Sequence, residues 1–125
     1  MDLVALLALG DWETATQLVR ENPGIVEASG GALHLMAQRN NVPAVSWLLA
    51  HGAQVNGRWS IGGADVTPLH VAASRGHAEM LRLLLSVGAD PTIRDSMHDG
   101  DAIGWAEHFH QPAIVQILKN HLSNT

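Results

Sequence analysis

No cysteine occurs anywhere in the 125 residues. That absence excludes disulfides, thiol nucleophiles and cysteine-ligated zinc, and it suits a reducing compartment such as the cytoplasm. Tyrosine is also missing, phenylalanine occurs once, and aromatic residues make up only 4% of the chain. An Ala/Leu-rich composition of this kind fits packed short helices better than a β-sandwich. Positive charge is scarce, with seven Lys and Arg against twelve Asp and Glu, for a net −5 with histidine neutral. There is no basic tract, so nothing draws the chain toward nucleic acid or an anionic membrane. Long apolar runs are lacking too. Leu3–Leu9 (LVALLAL) resembles a signal-peptide core, but Asp2 precedes it, no Lys or Arg does, and no small-x-small site follows cleanly. It is also far too short to span a bilayer, and it reads as the first helix of the fold. With 46% hydrophobic residues the chain can bury the core of one domain.

Residues 67–91 (TPLHVAASRGHAEMLRLLLSVGADP) form the best-defined unit. Thr67 can cap a helix, because the first amides of a helix lack internal partners. Pro68 then fits the first turn, where its missing N–H costs nothing. Leu69, Ala72, Ala73 and Gly76 recur at i, i+3, i+4 and i+7, which places small apolar groups on one face. Gly76-His77 breaks this helix. A second, greasier helix runs from Ala78, and Gly88 is placed to end it in a left-handed cap. Two such short helices cannot bury this much apolar surface alone, so the unit needs neighbours of its own kind.

The series Thr67-Pro68-Leu69-His70-Val71-Ala72-Ala73, Gly76-His77 and Leu83-Leu84-Leu85-Ser86-Val87-Gly88-Ala89-Asp90 resembles the ankyrin repeat. The resemblance implies an all-α solenoid with short β-hairpin fingers. Gly31-Ala32-Leu33-His34 repeats the pattern 36 residues earlier, and Trp47-Leu48-Leu49 falls on Leu83-Leu84-Leu85. Asp101-Ala102-Ile103-Gly104-Trp105-Ala106 repeats it 34 residues later, with Asp101 as an equivalent cap. Leu9-Gly10-Asp11-Trp12-Glu13 aligns with 75–79. The expectation is one domain of about four repeats, near 1–30, 31–66, 67–100 and 101–125, the first and last acting as caps. Helix pairs are expected near 1–22, 31–51, 67–87 and 101–122. By the same resemblance the first finger is stunted, and the second, over 56–66, is enlarged.

The resemblance makes His34 and His70 bridges from a helix to the hairpin backbone, together with the capping residues Thr67 and Asp101. It also makes the outer face of the first helices and the fingertips a concave binding surface. The rungs there are Leu35, Val71 and Trp105; Gln38, Ser74 and His108; and Arg39, Arg75 and Phe109. Arginine and tryptophan are frequent interface anchors, so Arg39, Arg58, Trp59, Arg75, Trp105 and Phe109 are the expected contacts for a partner protein or peptide. Alternatively, Trp59 folds back on its own hairpin and Trp105 packs against the cap. Trp47 is expected in the core and Trp12 at the edge of the first cap.

The chemistry-bearing alternative is a small metal-binding protein or metal-dependent hydrolase. It would use His98, Asp99, Asp101, Glu107, His108 and His110, which offer carboxylates and imidazoles within 13 positions. They do not form His-x-x-x-His or His-Glu-x-x-His. Gly62-Gly63 lacks the Lys-Ser/Thr of a phosphate loop, and no serine sits in a nucleophile elbow. Asp65 and Asp90 are isolated. A third reading makes the chain a subunit whose exposed face is permanently covered, but the polar rungs fit an obligate interface poorly. The reading is a non-catalytic monomer without cofactor or metal, located in the cytoplasm and binding neither nucleic acid nor membrane.

Overall fold

The computed structural model describes residues 2–29 and 31–124. Met1, Gly30 and Thr125, which end the expected first and last repeats, lie outside the described residues. The chain runs through α1 (Leu3–Leu9), α2 (Trp12–Glu21), α3 (Ile25–Ala28), α4 (Ala32–Gln38) and α5 (Val42–Ala50). It continues through β1 (Trp59–Ile61), β2 (Ala64–Val66), α6 (Pro68–Arg75), α7 (Ala78–Ser86), α8 (Ala102–His108) and α9 (Pro112–Ser123). Helices α1–α2, α4–α5, α6–α7 and α8–α9 are antiparallel pairs. The first helices α4, α6 and α8 pack side by side, and α5, α7 and α9 form a second layer behind them.

A side-chain cap sets the start of α1, α2, α5, α6 and α8. The side chains of Asp2, Asp11, Asn41, Thr67 and Asp101 each accept a backbone N–H three residues on. These caps satisfy amides that the helix itself cannot. Within each pair, the chain reverses through one residue with positive φ: Gly10 (74°), Asn40 (56°), Gly76 (72°) and His110 (57°). Glycine adopts this conformation freely and asparagine tolerates it, whereas a histidine is strained there.

The core lies between the layers. Leu3, Leu7, Met36, Leu48, Leu69, Met80, Leu81, Leu84, Ile114 and Leu118 are buried. Ala37, Ala72, Ala73 and Ala106 are also buried, and their small size lets the first helices approach closely. Trp47 is half-buried: it packs against the core edge and stacks on His51 with ring centroids 3.9 Å apart. Trp12 packs half-buried on the core beside Gly10.

The three connections differ from one another. The first is the single helical turn α3 rather than a hairpin. The second is an antiparallel hairpin, pairing Trp59 with Val66, Ser60 with Asp65 and Ile61 with Ala64 around Gly62-Gly63. The third contains no strand among the described residues. The expectation of several hairpin fingers is corrected to one, because the third connection is ordered by a side chain instead of a ladder. Asp95 accepts from Met97 N, His98 N, Gly100 N and Trp105 Nε1 at 2.6–3.0 Å. Neighbouring connections are stitched together as well. Asp65 N donates to Ser96 Oγ at 2.7 Å, Ser96 N donates to Asp65 O at 3.2 Å, and Asp90 N donates to Asn56 Oδ1 at 2.8 Å.

Two stability outcomes follow from this packing. Leu84 has no exposed surface, so Leu84→Ala is expected to cost about 2–5 kcal/mol in urea unfolding. His110→Gly removes the strain of a side chain in the left-handed region and is expected to raise stability by about 0.5–1 kcal/mol. A loss on His110→Gly would mean that its imidazole makes a contact worth more than that strain.

Candidate partner-binding face

Two kinds of side chain hold the stack together: one ties a first helix to the connection that follows it, and the other ties one helix pair to the next. His70 Nε2–H donates to Gly100 O at 2.9 Å, while its Nδ1 accepts from Thr67 N at 3.1 Å. One ring therefore closes a capping box and spans 30 residues of chain. His34 Nε2–H is shared between Gly57 O at 2.9 Å and Val66 O at 3.0 Å. At its far side Nδ1 is buried without a partner, because Gly31 stands where Thr67 stands in the later repeat. The second kind of tie carries no signal in the repeat pattern that would single it out. His77 Nε2 donates to Gln38 O at 3.1 Å, and Gln111 Nε2 donates to Ser74 O at 3.3 Å. His77 and Gln111 occupy the same position in successive units, as do their acceptors.

Burial leaves both histidines disfavoured as cations. Desolvation lowers the His70 pKa, against the opposing hydrogen bond to Gly100 and the charge of Asp95. Desolvation likewise lowers His34 against its bonds to Gly57 and Val66. Asp95 is also buried. Burial alone would raise its carboxyl, but donation from Trp105, His98, Gly100 and Met97 holds it far below the usual range. The Asp95 site was not anticipated from the sequence. Its only signal is a carboxylate five residues before a glycine, with an indole ten residues on.

The rung positions face outward to different degrees. Val71 is buried and presents little surface, while Leu35 and Trp105 are half-buried. Arg39, Arg58 and Arg75 are exposed, and among the described residues none of them has an ion-pair partner. Trp59 and Phe109 are each 47% exposed. Trp59 lies across the start of α4: a Cβ on Gly31 would come within 2.5 Å of its indole. The ring thus sits where the second unit lacks a capping side chain. Trp105 is held by Asp95 at 2.8 Å, meets His70 edge-on at 5.2 Å between centroids, and meets Phe109 at 5.9 Å.

These side chains wall two clefts. One, of about 300 Å³, is lined by Val4, Leu35, Gln38, Trp59 and Ile61, with Gly31, Ala32 and His34 at its base. The other, of about 380 Å³, is lined by His98, Gly100, Gly104, Trp105, His108 and Phe109.

The geometry does not bring the six residues of the metal-site reading together. Asp101 is committed to capping Gly104 N at 2.8 Å, and Asp99 pairs with Arg94 at 3.6 Å. His110 holds the left-handed turn. Among the described residues no three His, Asp or Glu side chains converge into a group that could hold a metal ion. Proximity in sequence failed here because the six residues are spread over a loop, a helix cap and a helix end.

A stack of capped helix pairs, tied by buried histidines and presenting one polar and aromatic face, defines a repeat solenoid. A family model for ankyrin repeats in three copies matches residues 3–95, and the chain belongs to the ankyrin-repeat family. The α8–α9 pair lies beyond the matched stretch. Among known proteins, the chain is similar to the mitochondrial disaggregase of Bos taurus, with 41% identity over 91 residues, covering 70% of this chain and 13% of that protein. It is 34% identical over 94 residues to protein phosphatase 1 regulatory subunit 27 of Homo sapiens, covering 72% of this chain and 57% of that protein. It is 34% identical over 98 residues to the Homo sapiens palmitoyltransferase ZDHHC13, covering 75% of this chain and 15% of that protein. The chain therefore spans less than two thirds of each of these relatives. Ankyrin repeats generally bind partner proteins. No helix among the described residues is long and apolar enough to cross a membrane.

Acid is expected to loosen the stack in two stages. His34 and His70 have pKa values lowered below 6.5, so the unfolded chain binds more protons as pH falls from that value. The stability they contribute is full above pH 6.5 and is lost as pH drops toward their folded values. Asp95, lowered from 3.8, adds a second loss below that pH. Urea midpoints should fall already between about pH 7 and pH 5. A flat profile there would refute the histidine contribution.

Proposed function

We propose that the chain is a non-catalytic interaction module that binds a partner protein or peptide through its concave helix face and hairpin. Arg39, Arg58, Trp59, Arg75, Trp105 and Phe109 are its contact residues. We read it as one domain of four repeats, over 1–30, 31–66, 67–100 and 101–125, working as a cytoplasmic monomer. His34, Thr67, His70 and Asp101 act inside the scaffold as repeat-bridging and capping residues.

One observation carries this reading. Arg39 and Arg75, exposed and among the described residues without ion-pair partners, occupy equivalent positions on the first helices in line with Phe109, while Arg58 adjoins the exposed Trp59, on a chain whose net charge is −5. Folding gains little from that arrangement, whereas a partner's carboxylates and apolar side chains would use it. Trp105 has two tasks, since its indole also holds Asp95. Its alanine variant therefore mixes lost binding with a loosened loop, and Phe109 and Arg75 are the cleaner probes.

Photo-crosslinking compares the two faces directly. A benzophenone amino acid at Ser74, on the concave side, is expected to trap a discrete partner in cells. The same probe at Ser86, on the second layer, is expected not to. Phe109→Ala and Arg75→Ala should each weaken the purified complex about tenfold or more while leaving the melt cooperative. Equal trapping from both faces would overturn the reading.

A further inference from the structure

We infer that the concave face is shaped for an extended acidic segment carrying two apolar anchors about six residues apart. This inference rests on the proposed partner-binding role and specifies its ligand. Its basis is the order of features along the face.

A cleft with an aromatic wall stands at each end. Trp59, Ile61, Val4 and Leu35 make the first cleft apolar, and Trp105 with Phe109 does the same for the second. Volumes of about 300 and 380 Å³ are at the small end of ligand sites, which suits a single inserted side chain rather than a whole small molecule. Between the clefts the floor is shallow: Val71 is buried and Ser74 is half-buried. Arg39 and Arg75 border that floor from equivalent helix ends, exposed and without ion-pair partners among the described residues. The stretch between two anchors therefore meets cations over a shallow floor, which selects carboxylates there.

The spacing follows from helix packing. From α4 through α6 to α8 there are two neighbour steps. At about 8–10 Å per step that is roughly 16–20 Å. An extended chain rises about 3.3 Å per residue and covers that distance in about five or six residues.

An extended ligand is favoured over a helical one by a separate observation. Among the described residues β1 pairs only with β2. The first connection contains α3 and, among the described residues, no strand, so no strand pairs with the outer edge of β1 there. That edge flanks the first cleft through Trp59 and Ile61. An open edge offers backbone hydrogen bonds only to an extended chain.

The test uses fluorescein-labelled synthetic peptides with two leucines separated by Ser, Asp and Glu spacers of graded length, read by anisotropy against the full chain. Affinity is expected to peak at a spacer of about five residues and to fall about tenfold or more at much shorter or longer spacers. Trp59→Ala and Phe109→Ala should each flatten that dependence, because one anchor is enough for what remains. Arg39→Glu with Arg75→Glu should weaken the acidic series while leaving a Ser/Asn-spaced series unchanged, and added salt should act in the same direction. Three results overturn the inference: affinity independent of spacer length, equal affinity for acidic and neutral spacers, or no binding by any peptide. Trapping at Ser74 by a partner in cells is independent of these peptides. If it persists when they fail, the module stands and only its proposed ligand falls.

Discussion

A helix pair of some twenty residues cannot cover its own apolar face, and this constraint organises the molecule. Burying a leucine is worth about 1.5–3 kcal/mol, and each inner helix here shares such residues with the next pair. Leu69, Met80, Leu81 and Leu84 are buried because α4–α5 and α8–α9 flank them. Each cross-repeat hydrogen bond adds only about 0.5–1.5 kcal/mol, so apolar contact dominates the energy. The polar ties instead set the register. His77 to Gln38 O and Gln111 to Ser74 O are the same bond one unit apart, and a slipped stack would break both at once. Stability in such a stack is close to a sum of unit and neighbour terms.

The second unit departs from this regularity where the first cleft lies. In the third unit, Thr67 serves both as cap and as partner for His70 Nδ1. With Gly31 in that place, at φ +83°, His34 Nδ1 is left unpaired and Trp59 moves over the vacated space. An unpaired buried polar atom costs about 1–3 kcal/mol. A folding requirement alone would favour threonine here, as Thr67 in the third unit illustrates. Local rules tend to be broken where function competes with stability, and this violation forms the base of a cleft that opens on the concave face.

The helix pairs were legible in the sequence because their signals are local. Thr67-Pro68, Gly76 and Gly88 each act within one turn, and the offsets of 36 and 34 carry the same signals along the chain. The form of the connections was not legible. The third connection looks like a finger in sequence, yet its order depends on Asp95, whose acceptor atoms gather donors up to ten residues away. The first became α3 rather than a stunted hairpin. The open alternatives for Trp59 and Trp105 were a matter of long-range geometry: Trp59 lies on Gly31, 28 positions back in the chain, and Trp105 bonds into the loop before its own helix. The clefts escaped notice for the same reason, since Val4 and Trp59 meet only after stacking.

Stability and recognition are separable over most of the face, but not everywhere. Phe109 and the three arginines stand clear of the scaffold's hydrogen bonds to other units, so their side chains are free to be specified by a ligand. Trp105 is not free in this way. Its indole N–H satisfies Asp95, its ring edge meets His70, and its other side walls the second cleft. A ligand seated against Trp105 therefore presses on the groups that order the third connection and tie α6 to α8. Binding at that cleft would stiffen this end of the stack by linkage, since whatever favours the held indole also favours the loop it holds. The same coupling makes the cleft sensitive to acid: protonating His70 Nδ1 breaks its bond from Thr67 N and loosens a ring that the Trp105 wall rests on.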